Sequence, residues 1–445
     1  MKIHPIEYRY GTPQMRRIFS REYRIAMMLK VEATLSQVEA ELGLIPEEAA
    51  EIISKNASLD VIELSRIEEL EEETKHNVAA VVYALEEKCG EYGRFIHFGA
   101  TSNDILDTAT ALQFKEGLKL LETQIRELCT ILAELARGYS RTLCVARTHG
   151  VHALPYILGL KFALWLDEFM RHLQRINESY NLCVGKISGA VGTYASFGEK
   201  GRLIELEVMK RLGLPPPVFS TQVVPRDLYA ELISHLLLIS CSCEKIATEI
   251  RNLHRTEIGE VMEGFGSRQV GSSTMPQKRN PILSERVCGI AKVLRGLIIP
   301  TLENIPLWHE RDLTNSSSER VVFPEVFILL SEQLSLLRRI LTSIVVDEEA
   351  LKRNVNLTGG RIMAENIFLH LIRKGLGRRE AHTLVSEISS RKGSFQENVL
   401  RDKALHKYLS EQEIKDILTP ARYVGLAGEI IEEIIKRFHN LVSAT

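Results

Sequence analysis

The apolar residues of this chain recur at steps of three and four over several long stretches. Within residues 226–258 they form one stripe: Leu232, Leu236, Ile239, Cys243, Ile246, Ile250 and Leu253. Such alternation is typical of an amphipathic helix that packs at a shallow angle in a helical bundle. The same spacing runs from Leu118 to Leu135 and from Leu330 to Ile344. The pattern therefore predicts three long helices, each with one buried stripe.

Two further long helices are predicted between these stretches. After Pro155, six apolar residues share one face: Leu158, Phe162, Trp165, Phe169, Leu173 and Ile176. Another helix is predicted from Pro281, since proline suits the first turn of a helix, to Pro300. Helices of about 20 to 35 residues are well above the usual mean length of about 11–12. We therefore expect an all-α protein built around a central bundle of five long helices.

Shorter helices are predicted on both sides of this bundle. Residues 14–88 have a helical pattern with more charge, and residues 348–445 are divided by glycines and a proline into short segments. We predict three helical domains from these changes in pattern. They are an N-terminal helical domain, a central long-helix bundle and a C-terminal helical domain, at 1–102, 103–350 and 351–445.

Composition supports long elements and excludes one class of partner. Gly 28 and Pro 14 are 42 of 445 residues, below the ~12% of average usage, so turns are few. Lys+Arg 56 and Asp+Glu 58 give a net charge of −2. A nucleic-acid-binding protein would show a strong basic excess, so we expect no nucleic-acid partner. A chain of this length buries enough surface to fold without disulfides or metals.

The cysteines and the N-terminus bear on location. None of the seven cysteines forms a CxxC pair, and Cys241 and Cys243 are spaced too closely for a zinc or thioredoxin motif. Free thiols are typical of a reducing compartment. The N-terminus has no apolar signal-peptide core, and the longest uncharged apolar stretch, 232–243, is far shorter than the ~20 residues of a membrane span. We expect a cytoplasmic protein with no membrane partner.

Polar, glycine-containing segments separate the long helices, and such loops usually carry function. They are 97–104 (HFGATSND), 147–155 (RTHGVHALP), 185–196 (GKISGAVGTYAS) and 264–281 (GFGSRQVGSSTMPQKRNP). A further stretch, 308–320 (WHERDLTNSSSER), is rich in cations and hydroxyls. These segments supply hydrogen-bond donors and positive charge, but neither a metal-ligand cluster nor a dinucleotide fingerprint. They predict a site for a small anionic molecule with several carboxylates, and neither a metal nor a cofactor.

Segment 264–281 carries the most specific pattern. Gly266 and Gly271 have the spacing of a phosphate-binding P-loop, but Ser272 stands where that motif requires lysine, and a helix precedes it. What remains is a glycine hinge with hydroxyls, followed by residues 278–280 (KRN). Such a loop can present donors to carboxylate oxygens. From the residues alone, a plain flexible surface loop is an equally good interpretation.

Four histidines bear on the chemistry of the predicted site. His149 and His152 lack an HExxH pattern and nearby Cys or carboxylate ligands, which argues against zinc. His149 follows Arg147 and Thr148, which could orient its ring for general-acid catalysis, while a structural loop histidine is the alternative. His76 and His97 could each lie at a helix end.

Residues 101–103 (TSN) are most simply a capping cluster for the helix from Asp104. The free backbone N–H groups of such a cap can also bind a carboxylate or phosphate.

Residues 272–281 (SSTMPQKRNP) resemble the signature loop GSSxMPxKxNP of the fumarase/aspartase superfamily. The resemblance covers nearly the whole chain in order, through TSND, RTHGVHALP and GAVGT before the signature. It implies three helical domains around a bundle of long helices, and a homotetramer in most members. It also implies an elimination that releases fumarate after removal of a proton beside a carboxylate.

Within the superfamily the chain most resembles the adenylosuccinate lyase family in its bacterial and archaeal form. The likeness is carried by Arg9-Tyr10 with Pro13 and Met15, Thr74-Lys75-His76, HFGATSND, KISGAVGTYA, Ser220-Thr221-Gln222, MPQKRNP and WHERDLTNSSSER. Gln14 stands where glutamate is usual, and Asn103 occupies the variable position of TSxD. The tail 419–427 (TPARYVGLA) is similar to that of sister lyases.

This resemblance implies roles for named residues. Ser272 would be the general base and His149 the general acid, with His76 in a supporting role. Lys278 and Asn280 would stabilise the doubly charged aci-carboxylate that forms when the proton leaves. The implied substrate-binding set is Arg9, Tyr10, Lys75, His76, Asn77, His97, Thr101, Ser102, Gln222, Ser273, Lys278, Arg279, Asn280, Arg311, Ser316 and Arg320.

The implied reaction is a β-elimination that converts adenylosuccinate to AMP and fumarate, and SAICAR to AICAR. Two alternatives stay open: a sister lyase such as argininosuccinate lyase or carboxymuconate cycloisomerase, or a non-catalytic helical scaffold. The implied site residues are spread over helices about 30–50 Å long at 1.5 Å per residue, so one monomer could hardly bring them together. We therefore expect a homotetramer whose subunits share active sites, acting on a small nucleotide.

Overall fold

Helices make up most of the protein in the computed structural model, which describes residues 3–266 and 271–443. The N-terminal helices are α1 (Pro13–Ile18), α2 (Arg21–Glu41), α3 (Glu47–Asn56), α4 (Leu64–Thr74) and α5 (Asn77–Cys89). The middle of the chain contains α6 (Ser102–Gly138), α7 (Gly159–Tyr180), α8 (Gly201–Leu212), α9 (Arg226–Leu253), α10 (Ile282–Gly296), α11 (Ile298–Glu303) and α12 (Thr314–Thr342). The C-terminal helices are α13 (Glu348–Asn356), α14 (Ala364–Arg373), α15 (Arg378–Ser390), α16 (Phe395–Arg401), α17 (Glu411–Ile417) and α18 (Ala427–Ser443).

Strands occur in two small antiparallel sheets of the described chain. They are β1 (Leu143–Thr148) with β2 (Val151–Ile157), and β3 (Val261–Met262) with β4 (Val345–Val346). The all-α prediction is thus confirmed. Within the described residues, no helix combines the length and the apolar composition needed to cross a bilayer.

Two compact units divide the chain. Unit 1 comprises residues 1–126, 172–244 and 287–336, and unit 2 comprises residues 127–171, 245–286 and 337–445. The boundaries between the units fall within the long helices. Residues of both units occur in each of α6, α7, α9, α10 and α12. The three domains predicted with boundaries at 102 and 350 stay a prediction.

In unit 1 the bundle core is aromatic. Phe114 of α6 lies edge-on to Tyr229 of α9 at 5.3 Å and to Phe323 of α12 at 4.9 Å, and stacks on Phe327 at 5.3 Å. Such pairs add about 0.5–1.5 kcal/mol each beyond the burial of their surface. Three helices far apart in sequence are therefore held together at one level.

In unit 2 the same helices are joined by polar contacts around an apolar core. Lys161 of α7 donates to Glu249 of α9 at 2.6 Å, and the rings of Tyr139 and Phe162 lie 5.8 Å apart. A second core lies among the C-terminal helices, with Ile367, Ile388 and Phe395 almost fully buried. Every residue of the stripe predicted for α9 is buried, as the helical spacing requires.

The helix predicted from Pro281 to Pro300 is shorter in the structure. Helix α10 ends at Gly296, and α11 starts at Ile298. Pro300 has no N–H to donate to the carbonyl of Gly296, and its ring would clash there. Pro300 therefore ends α10 at Gly296, four residues earlier, and the chain continues as the separate short helix α11.

Segment 147–155 is a β-hairpin rather than a loop between helices. Strands β1 and β2 pair Thr148 with Val151, which leaves His149 and Gly150 as a two-residue turn. Both turn residues have positive φ, +55° and +77°. Positive φ at both positions is what a type I′ turn requires, and that turn matches the twist of the strands it joins.

Candidate active site

The TSND segment forms the N-terminus of α6 in unit 1. The carboxylate of Asp104 accepts backbone hydrogen bonds from Thr101 at 2.8 Å, Ser188 at 3.0 Å and Gly189 at 3.1 Å. It also forms a fully buried ion pair with Lys186. A buried pair of this kind holds its geometry because losing either partner would leave an uncompensated charge. Asp104 thereby fixes segment 185–196 against the helix end, with Thr101 and Ser102 beside it.

The junction between α4 and α5 presents three predicted site residues in a row. Lys75 ends α4 in the left-handed region, with φ of +53°. Nδ1 of His76 accepts a hydrogen bond from the backbone of Ala79 at 3.2 Å, and its Nε2 lies 3.4 Å from Oγ of Ser102. Because Nδ1 accepts, the neutral ring carries its proton on Nε2 and can donate it toward Ser102. Asn77 follows and faces a cavity described below.

His97 is held by a glutamate that the sequence analysis missed. Its Nδ1 lies 2.7 Å from Oε1 of Glu32, a residue of α2 with no exposed surface. Burial disfavours the charged ring, but the Glu32 carboxylate outweighs it and raises the pKa of His97. His97 also has a φ of +61°. The available signal was a glutamate placed among the core-facing positions of α2.

A cavity of about 370 Å³ opens in unit 1. Four residues of the predicted substrate-binding set line it: Asn77, Arg311, Ser316 and Arg320. The cavity also contains Arg21, Arg24 and Arg226, and one wall is apolar, formed by side chains such as Ile25, Phe114 and Phe323. Apolar side chains and several guanidinium groups in one cavity suit a ligand with a flat ring and an anionic group.

Gln222 contacts a residue that lines this cavity. Its Oε1 accepts a hydrogen bond from Nη1 of Arg311 at 2.9 Å. The Nε of Arg311 is buried without a hydrogen-bond partner among the described residues. Burial of the guanidinium lowers the pKa of Arg311. One face of this guanidinium is thus positioned, while its Nε donor stays open.

A buried charge cluster forms one end of the cavity. Arg226 of α9 donates two hydrogen bonds to Asp107 of α6, at 2.8 and 3.0 Å, and two to Glu319 of α12, at 2.8 and 3.2 Å. None of these three residues is among those predicted from the sequence. Asp107 continues the apolar stripe of α6 toward its N-terminus, and a carboxylate on such a stripe was the available signal. The cluster joins three bundle helices at the level of the cavity.

The signature loop lies in unit 2, and residues 267–270, which form part of its predicted glycine hinge, lie outside the described residues. Oγ of Ser272 accepts a backbone hydrogen bond from Met275 at 3.1 Å. The loop is closed at its base, because Nδ2 of Asn280 donates to the carbonyl of Gly271 at 3.0 Å. A Cβ at position 271 would lie 2.2 Å from the carbonyl oxygen of Lys278, so only glycine fits.

The two cations of this loop are accessible to solvent. Lys278 and Arg279 are exposed, and the guanidinium of Arg279 lies over the ring of Phe265 at 5.3 Å. Ser273 is exposed as well. The loop thus offers a hydroxyl, an ammonium group and free backbone donors on one short segment.

His149 lies at the exposed tip of the β1–β2 hairpin, also in unit 2. Below it, Arg147 donates two hydrogen bonds to Glu260, at 3.0 and 2.6 Å. Glu260 in turn accepts from Asn354 at 2.7 Å. Arg147 thus forms an ion pair with a buried carboxylate and anchors the hairpin. It does not orient the ring of His149, as the sequence had suggested.

Left-handed backbone conformations are concentrated among the predicted site residues. Among the described residues, five other than glycine have positive φ: Lys75, His97, His149, Tyr194 and His309. Three of these belong to the predicted site. Such conformations cost about 1–3 kcal/mol each and persist where surrounding structure imposes them, often at functional positions.

The predicted residues therefore fall into two sets. Unit 1 contains Arg9, Tyr10, Lys75, His76, Asn77, His97, Thr101, Ser102, Gln222, Arg311, Ser316 and Arg320; unit 2 contains His149, Ser272, Ser273, Lys278, Arg279 and Asn280. Within unit 1, Ser102 meets His76, and Arg311, Ser316 and Arg320 share the cavity with Asn77. Arg9 is exposed, with its guanidinium 5.9 Å from the ring of Tyr10, and neither lines the cavity.

Family models and relatives of known function match this chain over most of its length. A family model described as Lyase matches residues 7–296, and one described as Adenylosuccinate lyase C-terminus matches residues 360–434. The chain is 49% identical to the adenylosuccinate lyase of Pyrococcus abyssi over 98% of both chains. It is 46% identical to that of Methanocaldococcus jannaschii, over 99% of this chain and 97% of the relative. The corresponding identity to the Thermotoga maritima enzyme is 39%, over 96% and 99%.

Solved structures of sister enzymes share the fold at lower identity. A fumarate lyase from Mesorhizobium sp. BNC1 superposes with a TM-score of 0.89 at 32% identity, over 96% of this chain and 98% of that one. A 3-carboxy-cis,cis-muconate lactonizing enzyme from Pseudomonas putida has a TM-score of 0.89 at 30% identity, over 98% and 99%. The higher identities are to adenylosuccinate lyases, so the sister-lyase and scaffold alternatives are not favoured. The chain belongs to the adenylosuccinate lyase family of the fumarase/aspartase superfamily, and is a fumarate-releasing carbon–nitrogen lyase.

Proposed function

We propose that this protein cleaves adenylosuccinate to AMP and fumarate, and SAICAR to AICAR and fumarate. The observation that carries the proposal is the cavity in unit 1, where Arg311, Ser316 and Arg320 converge beside an apolar wall. A nucleotide has the matching chemistry, with an anionic phosphate at one end and a flat base at the other. The adenylosuccinate lyases at 39–49% identity support the same substrate.

The bond that breaks joins a succinyl carbon to nitrogen. Ser272 removes the proton from the carbon next to a carboxylate, and the electron pair moves to form the double bond of fumarate. The removed proton is very weakly acidic, so the intermediate aci-carboxylate needs preorganised donors. Lys278, Asn280 and backbone N–H groups of the signature loop supply them. A serine hydroxyl is a weak base, and desolvation within the loop is what activates it.

His149 protonates the nitrogen as it leaves. General-acid catalysis contributes about 10²–10⁴-fold, and its exposed place at a hairpin tip leaves the ring free to meet a substrate. His76 supports this step, and its Nε2 proton can be passed toward Ser102 or a carboxylate. The 5′-phosphate binds Arg9, Tyr10, Arg311, Ser316 and Arg320.

The remaining residues of the predicted set hold the succinyl and base portions. Backbone and hydroxyl donors at the end of α6 suit a carboxylate, because the N-terminus of a helix favours negative charge. The residues assigned to the succinyl carboxylates are Thr101, Ser102, Gln222, Ser273, Lys278 and Asn280. Lys75, Asn77, His97 and Arg279 complete the substrate-binding set.

The active unit is a homotetramer with shared sites. Support comes from exposed apolar residues of unit 1 at and around α11: Ile299, Leu302, Ile305, Trp308, Leu313 and Val321, each 41–79% exposed. Apolar surface of this extent is typical of a protein–protein interface. A fully active monomer in sedimentation and activity measurements would contradict this part of the proposal.

The test is an absorbance assay with adenylosuccinate on the wild type, Ser272→Ala and His149→Ala. We expect turnover by the wild type, a loss of about 10²–10⁴-fold in kcat for His149→Ala, and a loss at least as large for Ser272→Ala. Thr274→Ala removes a hydroxyl from the same loop and serves as the matched control. An inert wild type, or a variant at position 149 or 272 that keeps most of its kcat, would overturn the proposal.

A further inference from the structure

The positive charge of the unit 1 cavity is only partly balanced within the chain. Five arginines line it, and two of them are matched. Arg21 donates to two glutamates of α4 at 2.5 and 2.8 Å, and Arg226 is held between Asp107 and Glu319. The three others, Arg24, Arg311 and Arg320, have no carboxylate partner among the described residues.

Arg24 is placed in the cavity by the helical repeat of α2. It shares one face of that helix with Arg21, Ile25 and Met28, and all four line the cavity. Its side chain is half-buried, and among the described residues none accepts a hydrogen bond from it or forms an ion pair with it. Burial, followed by the positive charge of Arg320, lowers the pKa of Arg24, and the carboxylates of Glu319, Asp107 and Glu71 offset this effect only in part. A partly desolvated guanidinium next to another cation is unfavourable unless an anion joins them.

The donors without a partner are all guanidinium N–H groups, and they belong to residues that line the same cavity. Nε of Arg311 is buried without a partner, and Arg320 likewise forms no hydrogen bond to the described residues. A phosphate monoester has three terminal oxygens and accepts paired hydrogen bonds from guanidinium forks. Three such forks around one cavity match one dianionic phosphate, whereas the apolar wall excludes a second strongly hydrated anion.

We propose that Arg24 is a further guanidinium ligand of the substrate 5′-phosphate, in addition to Arg9, Arg311 and Arg320, and that it makes the site selective for nucleotides over nucleosides. This inference rests on the proposed function, because it assigns the phosphate of that substrate to this cavity. Arg24 lies outside the set of residues expected from the sequence, since nothing in its local pattern distinguishes it from other surface arginines of a helix.

The experiment separates phosphate contact from a general loss of structure. Arg24→Met removes the charge and keeps the length, and Arg24→Lys keeps the charge but loses the fork. Lys30→Met removes an exposed cation from the same helix and is the matched control. Each protein is assayed with adenylosuccinate and with phosphate-free succinyladenosine. Each is also titrated with AMP and with adenosine by calorimetry.

We expect Arg24→Met to lower kcat/KM for adenylosuccinate by about 10- to 100-fold, mainly through KM, and to weaken AMP binding by a similar factor. For succinyladenosine we expect kcat/KM, and for adenosine the binding affinity, to change by less than about twofold. Both molecules lack the phosphate that Arg24 is proposed to bind. Arg24→Lys falls between wild type and Arg24→Met, and provides the same comparison if the methionine variant does not fold.

Equal losses with and without the phosphate, or no loss with either ligand, would overturn the inference. If the wild type fails to turn over adenylosuccinate, the proposed function is wrong. The calorimetric titrations then still test the role of Arg24. A wild type that binds AMP no more tightly than adenosine would mean that Arg24 does not bind the phosphate.

Discussion

At the scale of single residues, backbone strain falls on the histidine proposed as general acid. His149 adopts a φ of +55° in the first position of a two-residue turn, directly before Gly150. Asn-Gly is the preferred pair in such turns, so asparagine rather than histidine is the favoured residue at this position. The residue that the proposed chemistry needs is thus not the one the turn prefers.

This conflict predicts opposite effects on stability and activity. His149→Asn should raise the free energy of unfolding by about 0.5–1 kcal/mol, because the strain is relieved, while it removes general-acid catalysis. Urea denaturation and the adenylosuccinate assay measure the two effects. His152→Asn, on strand β2 of the same hairpin, should bring no gain in stability. A His149→Asn variant no more stable than wild type would contradict the argument.

A second residue-scale feature is a carboxyl group buried without hydrogen bonds. Both oxygens of Glu39 lack a partner among the described residues, and the side chain has no exposed surface. Burial, followed by the charge of Glu32, raises the pKa of Glu39 to about 9 from an ordinary value of 4.5. Folded protein therefore keeps a proton on Glu39 at neutral pH, whereas unfolded chain loses it.

The sign of the pH dependence follows from that proton. Between pH 4.5 and about 9 folding takes up a proton at Glu39, so this contribution to stability is complete below 4.5 and is lost as the pH rises through 9. The slope is at most about 1.4 kcal/mol per pH unit. The free energy of unfolding of Glu39→Gln, measured by urea denaturation, should not show this decline. The variant should therefore become more stable relative to wild type from pH 6 to pH 9. Glu22→Gln, an exposed change on the same helix, should keep the wild-type slope, and a parallel decline in Glu39→Gln would refute the prediction.

At the scale of helices, the Asp107–Arg226–Glu319 cluster joins α6, α9 and α12 in unit 1. Two carboxylates share one guanidinium in a site with almost no exposed surface. Burial opposes the charge on Glu319 and raises its pKa, whereas Arg226 outweighs burial at Asp107 and lowers the pKa there. The contact depends on Arg226, because it alone compensates both acids.

Arg226→Met should therefore destabilise the protein by about 3–5 kcal/mol, since it leaves buried acids uncompensated. Chemical denaturation measures this change. Arg66→Met removes an exposed arginine that also bridges two glutamates, and it should cost no more than about 1 kcal/mol. Equal losses in the two variants would mean that burial does not set the strength of the cluster.

The helices themselves were predictable to different degrees. The stripe from Leu232 to Leu253 predicted α9 and its buried face, because 3.6 residues per turn leave few ways to bury that spacing. The hairpin at His149 was not predicted, since its turn depends on positive φ at a histidine rather than on a usual turn residue. The break before Pro300 was also missed, although the missing N–H of proline gives a physical reason for it.

The site was predictable where its residues form a contiguous motif. Ser272, Lys278 and Asn280 follow from one loop, whereas Glu32 and Arg24 contribute through contacts between elements distant in sequence. A single helix pattern shows that a charged residue faces inward, but it does not identify the partner. That information appears only after helices are placed side by side.

At the scale of the whole molecule, the proposal that subunits share active sites makes a clear prediction. Two inactive variants, one changed in unit 1 (His76→Ala) and one in unit 2 (Ser272→Ala), should regain activity when unfolded together and refolded. If each site draws these residues from different chains, random mixing leaves both intact in about a quarter of the sites. The recovered activity is compared with that of each variant refolded alone.

Two controls frame this measurement. Wild type refolded with Ser272→Ala reports the yield of refolding and the statistical dilution of sites. Variants mixed without unfolding should stay inactive, because the subunits have not exchanged. No recovery after refolding, with a good yield in the wild-type control, would place His76 and Ser272 of each site on the same chain.

The unpaired arginines of the cavity have a consequence for handling the protein. An anion that binds only the folded form stabilises it by mass action, by about 2.7 kcal/mol at a hundred times its dissociation constant. If Arg24, Arg311 and Arg320 hold the substrate phosphate as proposed, inorganic phosphate or sulfate should bind to the same guanidinium groups. A buffer salt chosen for shelf life is then a competitive inhibitor in the assay, so heat resistance and turnover shift in opposite directions with the same ion.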